Sequence, residues 1–153
     1  MILPDYRIEL WAKDNVVPFN LDHVNPASLD LALGAQIVDL ATGAELTIKT
    51  IEIVPGMAIL ATSVEYIKMP PDCAGVLYLK SSMARQGLDH ALAGFVDPGF
   101  CGTLTFELHA HRPVPLTAGQ RIAQLVLYRL ESARVNGYNG RYQGQVGPTK
   151  ARL

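Results

Sequence analysis

The sequence predicts an all-β domain, a sandwich or barrel, with one short helix at its start and another in its middle. Three observations carry that expectation. Apolar or alternating runs of strand length recur along the chain, divided by Gly, Pro, Asp and Asn. At 153 residues the chain suits one domain, 1–153, with its own core. Of these residues 49% are apolar and 18% charged, a globular balance and not a disordered one.

The opening PDYRIELWAKDN starts with Pro4 and Asp5, which suit a helix N-terminus. Ile8 and Trp11, three apart, share a face, so a short amphipathic helix is expected. After Asn25-Pro26 the runs SLDLALG, AQIVDL, ELTIKTIEIV, MAILATSVEYIKM, GVLYLK, TLTFELHAH and RIAQLVLYRL each read as a strand. SSMARQG interrupts them: its Ser pair suits a helix N-terminus and Gly87 a stop, and Ser81 and Arg85, four apart, would share a face. From Asn136 the tail NGYNGRYQGQVGPTKARL has little to bury and reads as a mobile lid over 136–153.

A formal charge of -1 gives no electrostatic reason for nucleic acid or an anionic membrane as partner. A polyanionic small ligand remains compatible with local basic clusters. Cys73 and Cys101 are far apart and form no CxxC pair, so no disulfide framework is expected. With no basic leader followed by a long apolar stretch, the compartment reads as cytoplasmic.

FVDPGFCGTLTFEL, from Phe95 to Leu108, carries the chemistry. Leu104, Phe106 and Leu108 fall on one side of a period of two; Thr103, Thr105, Glu107 and His109 fall on the other. Glu107 is therefore an acid on the polar face of a strand, with Asp97 ahead of it at a Pro-Gly turn. His109 and His111 share a face, a pairing that binds zinc elsewhere, but no third ligand stands at a useful spacing and no metal site is expected. The zinc deaminase signature, the G-x-S-x-G elbow and both glycine-rich phosphate loops are absent.

What remains is an ordered set of segments: NPASLDLALG, KSSMAR, AGFVDPGFCGTLTFEL, AGQRIAQL and YQGQVGPTKAR. In that order they resemble the five motifs of the dCTP deaminase and dUTPase superfamily, across nearly the whole chain. The resemblance implies a distorted β-barrel or jelly-roll subunit, a homotrimer with active sites shared between subunits, and a tail that folds over bound nucleotide. The acid in LTFE is what the deaminases and the bifunctional deaminase-dUTPases carry and the monofunctional dUTPases usually lack.

The implied activity is zinc-free hydrolytic deamination of dCTP to dUTP and ammonia, with or without hydrolysis of dUTP to dUMP and pyrophosphate. A monofunctional dUTPase is the alternative, and a catalytically silent nucleotide-binding regulator a third reading. Glu107 would shuttle protons as general base and then general acid. Ser81 would hold the water, and Arg85 would orient Glu107 and keep it ionised through a charge-assisted bond. The backbone at Ala93 would position the base edge, and Asp97 would bind ribose or activate the water of triphosphate cleavage.

The family pattern assigns Lys80, Ser82, Gln124, Tyr138, Arg141, Tyr142 and Gln145 to the phosphates, and Phe100 joins the substrate-binding set. Magnesium would arrive on the triphosphate, with no direct protein ligand required. dTTP enters as the family's feedback inhibitor, acting through the loop before Asp97. Two departures stand out: Lys80 replaces the Arg of the RSS-x-x-R motif, losing a bidentate fork, and Leu92 stands where the family commonly has Thr.

Overall fold

The computed structural model describes residues 1–91, 93–132 and 136–152. Leu92 lies outside the described residues. The expected N-terminal helix is α1, Asp5–Asn15, which buries Ile8 and Ala12 and leaves Trp11 half-buried with its indole N–H donating to the Lys68 carbonyl at 3.0 Å. A two-residue strand, β1 (Val16–Val17), follows, then a 3-10 turn at Leu21–His23 and β2 (Val24–Asn25). The body comprises β3 (Ser28–Asp39), β4 (Glu45–Thr47), β5 (Thr50–Ile53), β6 (Ala58–Lys68) and β7 (Cys73–Leu79). After α2 (Ser81–Ala84) come β8 (Leu88–His90), β9 (Phe95–Val96), β10 (Cys101–Ala110), β11 (Val114–Thr117) and β12 (Arg121–Arg129).

The mainly β architecture expected from the alternating runs is the one adopted. A single antiparallel sheet runs β8-β10-β6-β3-β12-β7-β9, with β1 beside β6 and both β2 and β4 beside β3; β5 and β11 form a separate pair. Most of its neighbours are not consecutive in the chain, so the sheet curls through crossovers and not through a chain of hairpins. Its four long strands give their apolar stripes to one core: Leu29, Leu31 and Leu33 of β3, Ile59, Ala61 and Ile67 of β6, Leu104, Phe106 and Leu108 of β10, Leu125 and Leu127 of β12. Phe106 is among the largest fully buried side chains, and truncating such a ring costs about 3–5 kcal/mol.

Three local expectations need correction. SLDLALG and AQIVDL form one strand, because Gly34 is not a divider: a Cβ there would meet the Thr62 methyl at 2.6 Å, so the glycine permits close approach of β6. The pairing of β3 with β6 shifts register between Leu33 and Ile37, around this contact. ELTIKTIEIV is two strands and not one, since β4 pairs with β3 while β5 pairs with β11. The Ser pair does not cap α2: the N-cap is Lys80, in extended backbone and without a side-chain cap bond, and Ser81 is the first helical residue.

Candidate functional site

The alternation read from TLTFEL is realised in β10. Leu104, Phe106 and Leu108 are buried, and Glu107 is half-buried on the opposite side. Ahead of the strand, the Phe100 amide bonds the Asp97 carbonyl at 3.2 Å and closes the Pro98-Gly99 turn, which leaves Asp97 exposed at the strand mouth. Asp97 and Glu107 both open on one cavity of about 520 Å³, which Ala93, Phe100, Tyr138, Tyr142 and Gln145 also line.

The tail is what roofs this cavity. The Tyr138 amide bonds the Pro98 carbonyl at 2.8 Å, and Tyr138 meets Phe100 edge to face at 5.7 Å. Farther on, Thr103 and Gln145 exchange bonds: the Thr103 amide donates to the Gln145 carbonyl at 3.0 Å, and Gln145 Nε2 donates to the Thr103 carbonyl at 2.8 Å. The Gly147 and Thr149 amides donate to the hydroxyls of Thr103 and Thr105. The polar face of β10 thus serves as docking strip for the tail. Gly102 makes the approach possible, since a Cβ there would lie 2.9 Å from the Gln145 carbonyl oxygen and 2.8 Å from the Phe100 ring.

Burial raises the Glu107 carboxyl above its ordinary range, against the downward pull of its own backbone amide and the His90 imidazole. The expected Arg85 partner is not there. Among the described residues Arg85 makes no ion pair with Glu107 and does not line the cavity; it is the C-cap of α2, exposed, as are Ser81 and Ser82. One chain therefore divides the expected catalytic set in two. Arg141 also stays outside the cavity, donating to the Arg152 carbonyl at 2.6 Å.

The second group gathers where β3, β7 and β12 meet. Lys80 pairs with the fully buried Asp30, which also accepts from Asn25 Nδ2 at 2.8 Å and lies 3.4 Å from Arg121 Nη1. Gln124, opposite Asp30 in the ladder, accepts from the Ser28 hydroxyl at 3.3 Å. A neighbouring pair escaped sequence reasoning. Glu65 is 3% exposed, takes the Ala32 amide on both carboxylate oxygens and lies 3.5 Å from His23 Nδ1. Burial pushes its carboxyl up to about 7, assisted by the charge of Asp30 and opposed by the backbone donors. The signal for it is positional only: Val64 is 40% exposed while Glu65 faces inward, the reverse of what their polarity suggests.

Cys73 and Cys101 are free, and among the described residues no helix is long and apolar enough to cross a membrane.

Residues 2–130 match the family model described as dCTP deaminase-like. A protein of Aquifex aeolicus named "dCTP deaminase, dUMP-forming" is 38% identical over 172 residues, covering 100% of this chain and 95% of that one. One of the same name from Mycobacterium leprae is 35% identical over 175 residues, covering 97% and 92%. In fold, the crystal structure of 2'-deoxycytidine 5'-triphosphate deaminase from Agrobacterium tumefaciens is similar with a TM-score of 0.71 at 23% identity, over 82% of this chain and 47% of that one. This chain thus spans about half the length of that structure. A Staphylococcus bacteriophage 80alpha dUTPase shares the fold more distantly, with a TM-score of 0.54 at 14% identity over 92% of this chain and 96% of that one. With the family model spanning most of its length and near-full-length relatives above 30% identity, the chain belongs to the dCTP deaminase-like family.

Proposed function

We propose that this protein deaminates dCTP to dUTP and ammonia and then hydrolyses dUTP to dUMP and pyrophosphate, in a site completed by a second copy of the chain. The observation that carries the reading is the opening of Glu107 and Asp97 on one cavity roofed by the tail's Tyr138, Tyr142 and Gln145. A monofunctional dUTPase would use Asp97 and leave Glu107 without a task. The names of the Aquifex and Mycobacterium relatives support the two-step reading.

Hydrolytic deamination requires a water that loses its proton as it attacks C4 of the base, then protons for N3 and for departing ammonia. One carboxylate within reach of both serves as base and then acid. Glu107, with its proton affinity raised by burial, is suited to hold that proton between the steps. We assign the Ala93 carbonyl to the base edge, since the Ala93 amide already donates to the Ala91 carbonyl at 2.8 Å. Asp97 at the turn binds the ribose and, in the second reaction, activates the water that attacks the α-phosphate.

The groups missing from this half are Ser81, which would hold the water, and Arg85, which would orient Glu107. Both are exposed on α2, as is Ser82, and Lys80 adjoins them, so a neighbouring subunit can insert this edge. We assign a homotrimer with shared sites, a reading supported by that split and by the family's pattern. Lys80, Ser82, Gln124 and Arg141 then take the triphosphate, whose magnesium ion belongs to the substrate. We assign the reaction to the cytoplasm, in keeping with two free cysteines.

The decisive assay incubates the purified protein with magnesium and either dCTP or dUTP, resolving ammonia, dUTP, dUMP and pyrophosphate over time. Ammonia with dUMP and pyrophosphate from dCTP is expected. Ammonia with accumulating dUTP restricts the enzyme to deamination. Pyrophosphate from dUTP with no ammonia from dCTP makes it a dUTPase and removes Glu107 from the mechanism. Binding of either nucleotide without turnover makes it a regulator.

A further inference from the structure

Strand register brings together three side chains that the sequence keeps apart. β8 pairs with β10 so that His109 faces Asp89, and His111, two residues on, emerges on the same side of the strand. Asp89 Oδ2 lies 3.6 Å from His109 Nε2 and 3.4 Å from His111 Nε2, and one ligand atom from each of the three residues lies within 4.8 Å of the others. The imidazoles meet edge to face, 5.9 Å between centroids and 76° between planes, a favourable ring contact that leaves both Nε2 atoms turned toward Asp89 Oδ2.

Ion pairing alone is a weak reason for this convergence. The side chains are 44%, 70% and 49% exposed for His109, His111 and Asp89, a range in which ion pairs add little stability. A tetrahedral ion bound at about 2.0–2.2 Å holds its ligand atoms about 3.3–3.6 Å apart. The two imidazole-to-carboxylate distances already fall there. Two imidazoles and one carboxylate are, moreover, a donor set for borderline transition ions, whereas magnesium and calcium prefer oxygen throughout.

We propose that Asp89, His109 and His111 form a three-ligand surface site for zinc, with water in the fourth position. None of the three lines the nucleotide cavity, so the ion takes no step in deamination. Its place is structural. His109 follows Glu107 by two residues on the same strand, and the Ala91 amide, just past β8, bonds the Glu107 carbonyl at 3.0 Å. A metal bridge between β8 and β10 therefore braces the strand pair that carries Glu107 and feeds the segment leading to Ala93.

The test uses the 153-residue chain freed of any affinity tag and stripped of metal with a chelator. Zinc is titrated calorimetrically into this protein and into His111→Ala and Asp89→Asn, and thermal midpoints are read with and without zinc. One zinc per chain is expected, together with a higher midpoint. Each substitution is expected to weaken binding by more than the roughly 10–100-fold that follows loss of a ligand's outer partner. Millimolar magnesium is expected not to displace the ion. Because His111 is the most exposed of the three, its variant remains folded enough to report. Absence of stoichiometric binding, or binding by either variant as tight as by the unsubstituted protein, overturns the assignment.

Discussion

The Glu107 carbonyl accepts the Ala91 amide at 3.0 Å, and Ala93, two residues beyond Ala91, lines the same cavity as Glu107. Glu107 and the segment proposed to read the base are thus tied by a backbone bond, which side-chain substitution at 107 leaves intact. Glu107→Gln keeps shape and removes only the proton chemistry. Deamination of dCTP is expected to fall by about 10²–10⁴-fold, with nucleotide affinity held within a few-fold, as read by ammonia release and by calorimetry. Undiminished ammonia release would take Glu107 out of the mechanism.

Asp97 sits on a turn that its carbonyl closes, so its carboxyl can be neutralised without losing the turn. Asp97→Asn is expected to suppress pyrophosphate release most strongly, by about 10²–10⁴-fold, and ammonia release less. Measuring the two products from one dCTP incubation separates the steps. Equal loss of both products would make Asp97 a substrate-positioning residue for the whole reaction and not the activator of one water.

The tail contacts β10 through backbone and amide groups more than through bulk, so its hold depends on how closely it can approach. Deleting the chain from Tyr142 removes Gln145 from the cavity wall and is expected to lower turnover by about a hundredfold, the scale of an ångström-level loss of positioning. Gly102→Ala is a gentler version, because its new methyl would press on the Gln145 carbonyl and the Phe100 ring. It should raise susceptibility to proteolysis after Tyr138 along with KM. Wild-type kinetics in both variants would show that the tail has no part in turnover.

How much of this could be read from the sequence depends on range. The period of two in TLTFEL told the face of Glu107 correctly, because side-chain direction along a strand is local. Gly34 was misread as a divider because glycine also serves close approach between strands, and Thr62, the neighbour that requires it, is 28 positions away in the chain. Asp89 escaped notice beside His109 for the same reason: register is set by the whole sheet. Arg85 and Glu107 failed to meet for another reason. Motif order does not say which copy of the chain supplies a residue, and on the proposed reading Arg85 comes from a neighbouring one.

Glu65 carries a pH dependence of stability. Its folded carboxyl titrates near 7, above the ordinary 4.5, so the native state holds a proton that the unfolded chain has released between those values. Stability contributed by this group is fully present below about pH 4.5, declines as pH rises, and is gone above about pH 7, a total on the order of 3 kcal/mol. Glu65→Gln keeps an acceptor for the Ala32 amide and cannot ionise. Denaturant unfolding at several pH values should show the native protein losing ground to this variant across that window; parallel curves would mean that His23, at 3.5 Å, compensates the charge fully.

The division of the expected site within one chain makes a prediction about mixtures. If Arg85 serves the Glu107 of a neighbouring subunit, then Arg85→Ala and Glu107→Gln damage opposite halves of each site. Either variant alone is inactive, because every site lacks one group. In trimers reassembled from equal amounts of both, a site is whole when its α2 comes from the Glu107 variant and its β10 from the Arg85 variant, which random assembly yields at about one site in four. Dissociating and refolding the two together should therefore restore about a quarter of native ammonia release. The double variant mixed with native chain gives the control, since it loses activity without complementing. No recovery in the mixture would place both groups in one subunit, by a rearrangement of α2 toward β10 on binding nucleotide.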